Sequence, residues 1–280
     1  MIGFHDIFGV PILTKERFLA SKEDGIAHRI CFGSTHTNAL AEYNDKSPYR
    51  FSVPFPESIE EIFEYETGLK LFRSKFGKGV WCGLSDSEMP IVRNFMNGHR
   101  DHVFLRDHLD SSVALSMHYD GNSRTPLGDL EYAAKYQQDT GAISKLTDLA
   151  AQFISTTPRY KNVKLIAPVP PRPDKQFDLP TVLCTGVAQK LELQLVSAGE
   201  WTKPKAQLKE KNIGEKWDAL EAAEFKMSPD IKGKGAIILM DDLYQSGCTI
   251  NFVGNRVQHH GEIDVFGLSV VKSAGDQDNL

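Results

Sequence analysis

Two adjacent carboxylates followed closely by a turn of small residues are the most chemically informative feature of this 280-residue sequence. In residues 235–250, GAIILMDDLYQSGCTI, an apolar run with the character of a strand ends at Asp241 and Asp242. The turn Gln245, Ser246, Gly247, Cys248, Thr249 then opens a predicted helix. Carboxylates at the end of a strand can accept hydrogen bonds from two neighbouring ribose hydroxyls. Small turn residues let backbone N–H groups converge on a phosphate, and a helix N-terminus adds favourable partial positive charge beneath it. Gly247 permits a close approach or a positive φ, and Ser246 and Thr249 add hydroxyl donors. Open α/β sheets bind ligands at this edge, so the chemistry expected is recognition of a ribose phosphate.

Other reactive residue types carry less. The cysteines Cys31, Cys82, Cys184 and Cys248 form no CxxC pair, which argues against a zinc ribbon or disulfide framework and for reduced thiols. Cys248 reads as a small packing residue rather than a nucleophile. His99, His102 and His108 have no familiar ligand spacing, so they are not read as a metal cluster. His259 and His260 fall near the end of the last predicted helix, where a surface position suits the dipole. Lys203, Lys205, Lys209 and Lys211 alternate with Glu210 and Glu215, the pattern of a solvated loop. A net charge of -5 supplies no global drive toward nucleic acid.

The elements that must position the acidic pair are legible mainly in the second half. Alternating apolar runs and helical periodicity give strands at 163–169, 193–196, 236–240 and 263–271, a helix at 181–191 and a further helix after the small-residue turn. Parallel pairing follows, because each crossover carries a helix. A helical stretch at 126–155, interrupted near Thr140 and Gly141, precedes them, and residues 203–216 read as exposed and mobile. In the first half a helix is predicted over 58–72, with Ser58 as cap and Glu61 closing a capping box. Between 80 and 115, Trp81, Val92, Phe95, Val103, Phe104 and Leu105 supply core material without fixing element type. With 41% hydrophobic residues and no apolar run near membrane-spanning length, the chain is expected to be soluble. Its N-terminus, MIGFHDIFGV, lacks a secretory pattern, so a cytoplasmic location is expected.

The segment IILM-DD-LYQSGCT resembles the fingerprint of the type I phosphoribosyltransferase family, with Gln245 where Thr is frequent and Cys248 where Ala is common. Residues 165–177, LIAPVPPRPDKQF, resemble the Pro-Val-Pro segment of the ComF-like (competence protein) branch. Residues 127–154 and 203–225 resemble the helical segment and the mobile stretch of the same branch, so the likeness covers roughly the last 155 residues. It departs in having no N-terminal zinc ribbon, and in carrying Lys175, Gln176 and Phe177 where the branch has Arg-Gly-Phe. The resemblance implies a phosphoribosyltransferase-like parallel sheet flanked by helices over 121–280; residues 1–120 lie outside it and are expected to form an additional α+β region whose fold the sequence does not assign. It implies phosphoribosyl pyrophosphate as ligand and Mg2+ as cofactor. Asp241 and Asp242 would steady the ribose and meet the metal indirectly through ribose or water. Gln245 to Thr249 would hold the phosphate, and Pro170, Pro171, Arg172 and Lys175 would form the pyrophosphate loop. Activity would be phosphoribosyl transfer or cleavage. The alternative is a ligand-binding sensor, or a subunit of a DNA-uptake or antiphage assembly, with residues 1–120 as a partner surface and a homo-oligomer as a further possibility.

Overall fold

The computed structural model describes residues 11–34, 37–75, 77, 79–208 and 211–273. The expectations that rest on residues 1–10, Lys209 and Glu210 fall outside this range. In chain order the first elements are α1 (Lys15–Lys22), β1 (Arg29–Ile30), β2 (Leu40–Glu42), β3 (Tyr49–Val53), α2 (Glu60–Thr67), β4 (Phe72–Arg73), β5 (Val80–Leu84) and α3 (Met89–Gly98). Next come β6 (Val103–Leu105), β7 (Ser111–Met117), the hairpin β8 (Tyr119–Asp120) and β9 (Ser123–Arg124), α4 (Pro126–Tyr136) and α5 (Thr140–Thr156). The last elements are β10 (Leu165–Pro168), α6 (Leu179–Leu191), β11 (Gln194–Leu195), β12 (Gly199–Trp201), α7 (Ile213–Ala223), β13 (Phe225–Met227), β14 (Ala236–Tyr244), α8 (Cys248–Gly261) and β15 (Asp264–Lys272).

The run AIILM is apolar on both sides of the strand because β14 lies inside a sheet covered on both faces. Ile238 and Met240 point into one core with Leu146, Phe153, Leu183 and Val187 of α5 and α6. Ile237 and Leu239 point into the other, with Trp217 and Leu220 of α7 and Phe252, Val253 and Val257 of α8. This alternation is the period-two geometry of a strand. Sheet order is β1-β6-β7-β15-β14-β10-β11. The pairs β7–β15, β15–β14, β14–β10 and β10–β11 are parallel, and β6 pairs antiparallel with both β7 and β1. The mostly parallel α/β class expected from the sequence is therefore present. The sheet does not stop at residue 120, since β1, β6 and β7 all precede it and complete its far side. A smaller antiparallel sheet, β2-β3-β5-β4, packs with α2 and α3, giving the N-terminal region its α+β character. Among the described residues no helix is long and apolar enough to cross a membrane.

Several boundaries differ from expectation for identifiable reasons. The helix predicted from Ser58 is confined to Glu60–Thr67, and Gly68 at φ 71° ends it in a left-handed cap. Ser58 does not cap it: its φ is 62°, its Oγ donates to Leu105 O at 2.7 Å, and it accepts from Ser112 N at 2.7 Å. Glu61 instead pairs with Arg159 at 2.7 Å. The interruption of the 126–155 stretch lies at residues 137–139, where Gln138 turns to φ 53° and Asp139 accepts from Ala142 N to start α5. Part of the supposedly mobile 203–216 stretch is helical, because Asn212 and Glu215 form a capping box at the start of α7. Phe95 and Val92 belong to α3, and Val103 to Leu105 form β6.

Ser58 ties the ends of β6 and β7 together through two hydrogen bonds, so Ser58→Ala should destabilise the fold by about 1–3 kcal/mol. Glu61→Ala removes only an exposed ion pair, worth about 0–1 kcal/mol. Chemical denaturation of both variants checks the assignment; a larger loss from Glu61→Ala than from Ser58→Ala would restore the capping-box reading.

Candidate active site

The strand β14 runs through the acidic pair rather than ending before it, because Asp241 and Leu243 remain in register with Ser269 and Val271 of β15. Asp241 and Asp242 therefore project to opposite sides of the carboxyl end. Asp242 is 7% exposed, and its Oδ2 lies 2.9 Å from Lys135 Nζ on α4. Lys135 also reaches Glu131 Oε1 at 3.2 Å, and Glu131 is 1% exposed, with His118 Nε2 3.5 Å from its other oxygen. Burial pushes the Glu131 carboxyl up, opposed by Lys135 and reinforced by Asp242. For Lys135 the two carboxylates outweigh burial and hold the ammonium form firmly. Asp241 Oδ1 accepts from Asp242 N at 2.9 Å, yet burial, with the neighbouring Asp242 charge, moves its carboxyl up to about 7.

After Tyr244 the chain turns at Gly247, φ 74°, directly into α8. A Cβ at Gly247 would collide with the Tyr244 ring and hydroxyl, so a side chain is excluded by space as well as by backbone angle. The first helical bond runs from Asn251 N to Gly247 O at 3.0 Å, leaving the N–H groups of Thr249 and Ile250 ahead of it. Cys248 N donates to Ser246 Oγ at 3.3 Å. The turn is braced from behind: Tyr244 Oη donates to Asp107 Oδ2 at 3.1 Å, and Asn251 Nδ2 donates to Gly247 O at 2.8 Å. Asn251 Oδ1 in turn accepts from His108 N at 2.8 Å.

These residues enclose one cavity of about 190 Å³, lined by Lys135, Leu208, Lys216, Asp241, Asp242 and residues 243–250. Gln245, Ser246, Gly247, Cys248 and Thr249 all line it. Pro170, Pro171, Arg172 and Lys175 do not line it, although they leave the sheet at the same edge, where Val169 N donates to Met240 O at 2.8 Å. Pro170 O accepts from Trp201 Nε1 at 3.0 Å. Within that loop Arg172 Nε is 3.4 Å from Asp174, and Lys175 Nζ is 2.7 Å from Asp178, the cap of α6.

Three cations of this edge are not read as site residues from the sequence, and one of them, Lys205, is expected in a solvated loop. Lys216 is 3% exposed, with Nζ 3.5 Å from Gln245 Oε1. Lys205 sits 4.4 Å over the Trp201 ring; burial pulls its ammonium down to about 8, against the attraction of Asp241. For Lys135 a signal existed. Leu127, Leu130, Glu131 and Ala134 share one helical face, and a glutamate on that stripe with a lysine four residues on marks a buried pair.

Elsewhere, Cys248 is buried among apolar neighbours, as are the free thiols Cys31, Cys82 and Cys184 in their own settings. His99 Nδ1 lies 2.9 Å from His102 Nδ1 and its Nε2 2.9 Å from Glu66, while His108 bonds separately to Ser21 Oγ at 2.9 Å. The stretch that holds these histidines is thus packed rather than solvated. His259 and His260 occupy the last turn of α8.

No protein-family model and no curated protein matches this chain. Among solved structures, adenine phosphoribosyltransferase from Leishmania tarentolae aligns with a TM-score of 0.34 and 10% identity, covering 52% of this chain and 78% of that one. Adenine phosphoribosyltransferase from Leishmania donovani aligns with a TM-score of 0.28 and 11% identity, covering 52% and 72%. At such scores the chemistry rests on the site's own geometry.

Two outcomes test this geometry. Gly247→Ala should lower stability by about 1–3 kcal/mol through backbone strain, and more if Tyr244 cannot move aside. The raised Asp241 carboxyl means that the folded protein binds a proton more tightly than the unfolded chain. The stability this contributes is present at low pH and is lost as pH rises from the ordinary carboxylate range through about 7. Urea denaturation between pH 4 and 8 should show wild type losing stability relative to Asp241→Asn across that window; parallel curves would contradict it.

Proposed function

We propose that the cavity at the carboxyl end of β14 binds phosphoribosyl pyrophosphate together with Mg2+, and that the protein transfers or cleaves the phosphoribosyl group. One observation carries this reading: two carboxylates, a glycine-pivoted turn at a helix N-terminus and two lysines line a single small cavity. Asp241 and Asp242 accept hydrogen bonds from the ribose hydroxyls. The N–H groups of Thr249 and Ile250, with the hydroxyls of Ser246 and Thr249, receive the ribose phosphate, and Lys216 adds a positive charge there.

The donor set suits Mg2+, which favours carboxylate, water and phosphate oxygens and would supply charge neutralisation of the pyrophosphate. Lys135 already stands at ion-pair distance from Asp242 Oδ2, so contact through ribose or a metal-bound water fits better than direct ligation. The chain's own contribution is positioning and electrostatics: the acidic pair favours positive charge developing at the anomeric carbon as pyrophosphate departs. Loss of both carboxylates, in Asp241→Asn with Asp242→Asn, should reduce pyrophosphate release at least about 100-fold. The assay is pyrophosphate release from phosphoribosyl pyrophosphate and Mg2+, with a panel of bases and with water alone as acceptor. No release with any acceptor excludes turnover.

A second reading has its own support. Arg172 and Lys175 are each paired with a carboxylate close by in sequence, which leaves less positive charge for a pyrophosphate. On that reading the protein binds the ligand without consuming it, as a sensor or assembly subunit. Calorimetry showing saturable binding with intact ligand recovered selects it, and absence of binding removes both readings.

A further inference from the structure

A second and larger cavity, about 480 Å³, opens at the same edge of the sheet and is assigned no role above. Its walls come from chain segments far apart in sequence. Arg29 and Cys31 stand on and just beyond β1, Arg100 follows α3, and Ser116 and Met117 end β7. Tyr119 and Thr125 belong to the hairpin segment that leads into α4. The loop after β1 is held against α3's exit by Gly33 N, which donates to Arg100 O at 2.7 Å, and a Cβ at Gly33 would press on that same carbonyl. Arg29 lines the cavity, and its Nη1, which has no water-accessible surface of its own, finds no hydrogen-bond partner among the described residues. The guanidinium is therefore not committed to a carboxylate through that nitrogen, and an anionic oxygen is the partner that guanidinium geometry suits.

We infer that this cavity is a binding site for a small organic molecule bearing an anionic group, carboxylate or phosphate, held by Arg29 with Arg100 at the mouth. Its volume falls within the roughly 300–1,000 Å³ usual for small-molecule sites. The Tyr119 ring and Met117 offer an apolar wall to the body of the ligand, while the Thr125 hydroxyl caps α4 and accepts from Ser116 Oγ at 3.5 Å, which leaves the charged recognition to the arginines. Asp101 and Asp120 also line it, and both are exposed, so they disfavour multiply charged anions at the rim more than a single buried head group.

The two cavities are neighbours. Ser116 of this one pairs with Val271, and Val271 pairs with Leu243 of the other, so two strand spacings separate them, about 10 Å. Helix α4 runs from Thr125, its cap at this cavity, to Lys135 at the other, a rise of about 15 Å. That spacing places a second ligand alongside whatever the acidic pair holds, although the anion site itself does not rest on the phosphoribosyl reading.

The test is isothermal titration of the full chain with benzoate, phenyl phosphate and benzyl alcohol, the last as an uncharged control. At least one anion should bind saturably and the alcohol should not, and whichever anion is tighter names the head group. Arg29→Gln should weaken benzoate binding about tenfold or more and Arg100→Gln should weaken it less; a phenyl phosphate signal counts for this cavity only where Arg29→Gln reduces it and Thr249→Ala, in the other cavity, does not abolish it. If Arg29→Gln fails to fold by circular dichroism, Arg100→Gln carries the test. The inference is overturned if neither anion saturates, if the alcohol binds as well, if both arginine variants bind like wild type, or if Thr249→Ala abolishes binding. Pyrophosphate release from phosphoribosyl pyrophosphate is scored separately, so the two sites can fail independently.

Discussion

Two carboxylates on consecutive residues of a buried strand are costly, first through burial and then through their mutual repulsion, and the carboxyl edge of the sheet is organised around that cost. Lys135 neutralises Asp242 from one side, and Asp241, on the other side of the strand, takes up the remaining cost by holding its proton more tightly. Lys135 comes from α4, which packs across the strand ends and brings Glu131 into the same buried group. An isolated buried carboxylate would be several kcal/mol too costly; a carboxylate, a lysine and a second carboxylate form a group that burial tolerates.

The turn at residues 245–249 depends on a second constraint, which is steric. Gly247 lies against the Tyr244 ring, Tyr244 is fixed by Asp107, and Asn251 clasps the Gly247 carbonyl from the first turn of α8. The N–H groups ahead of the first helical bond are thereby aimed before any ligand arrives, the condition under which backbone donors act without reorganisation. Asp107 precedes β7, so the N-terminal part of the chain supplies the back wall of a turn read from residues 245–249.

The acidic pair, the small-residue turn and the parallel arrangement of β10, β11, β14 and β15 were legible because each depends on local pattern: an apolar run, two acids, then Ser-Gly. The place of β7 beside β15 was not, since strand order within a sheet is a tertiary fact and SSVALSM reads equally well as a strand of any sheet. Ser58 followed the spacing of a capping box but is drawn into a left-handed backbone by the ends of β6 and β7, a case of distant contacts overriding a local signal. Lys205 and Lys216 looked solvated because their sequence neighbours are charged; Trp201, only four residues before Lys205, and the Gln245 loop, 29 residues beyond Lys216, are what they pack against.

Because β7 is completed only by β15, the chain cannot finish its sheet in the order in which it is made. The Asp110 carboxylate at the head of β7 accepts from Val265 N at 2.8 Å across 155 residues, and from Gln258 Nε2 on α8 at 2.8 Å. During synthesis β7 therefore emerges long before its parallel partner, its edge unpaired while the rest of the sheet is still to come. Closure of so long a loop comes late and slowly. The antiparallel partner β6, a few residues earlier, is available at once for the other edge.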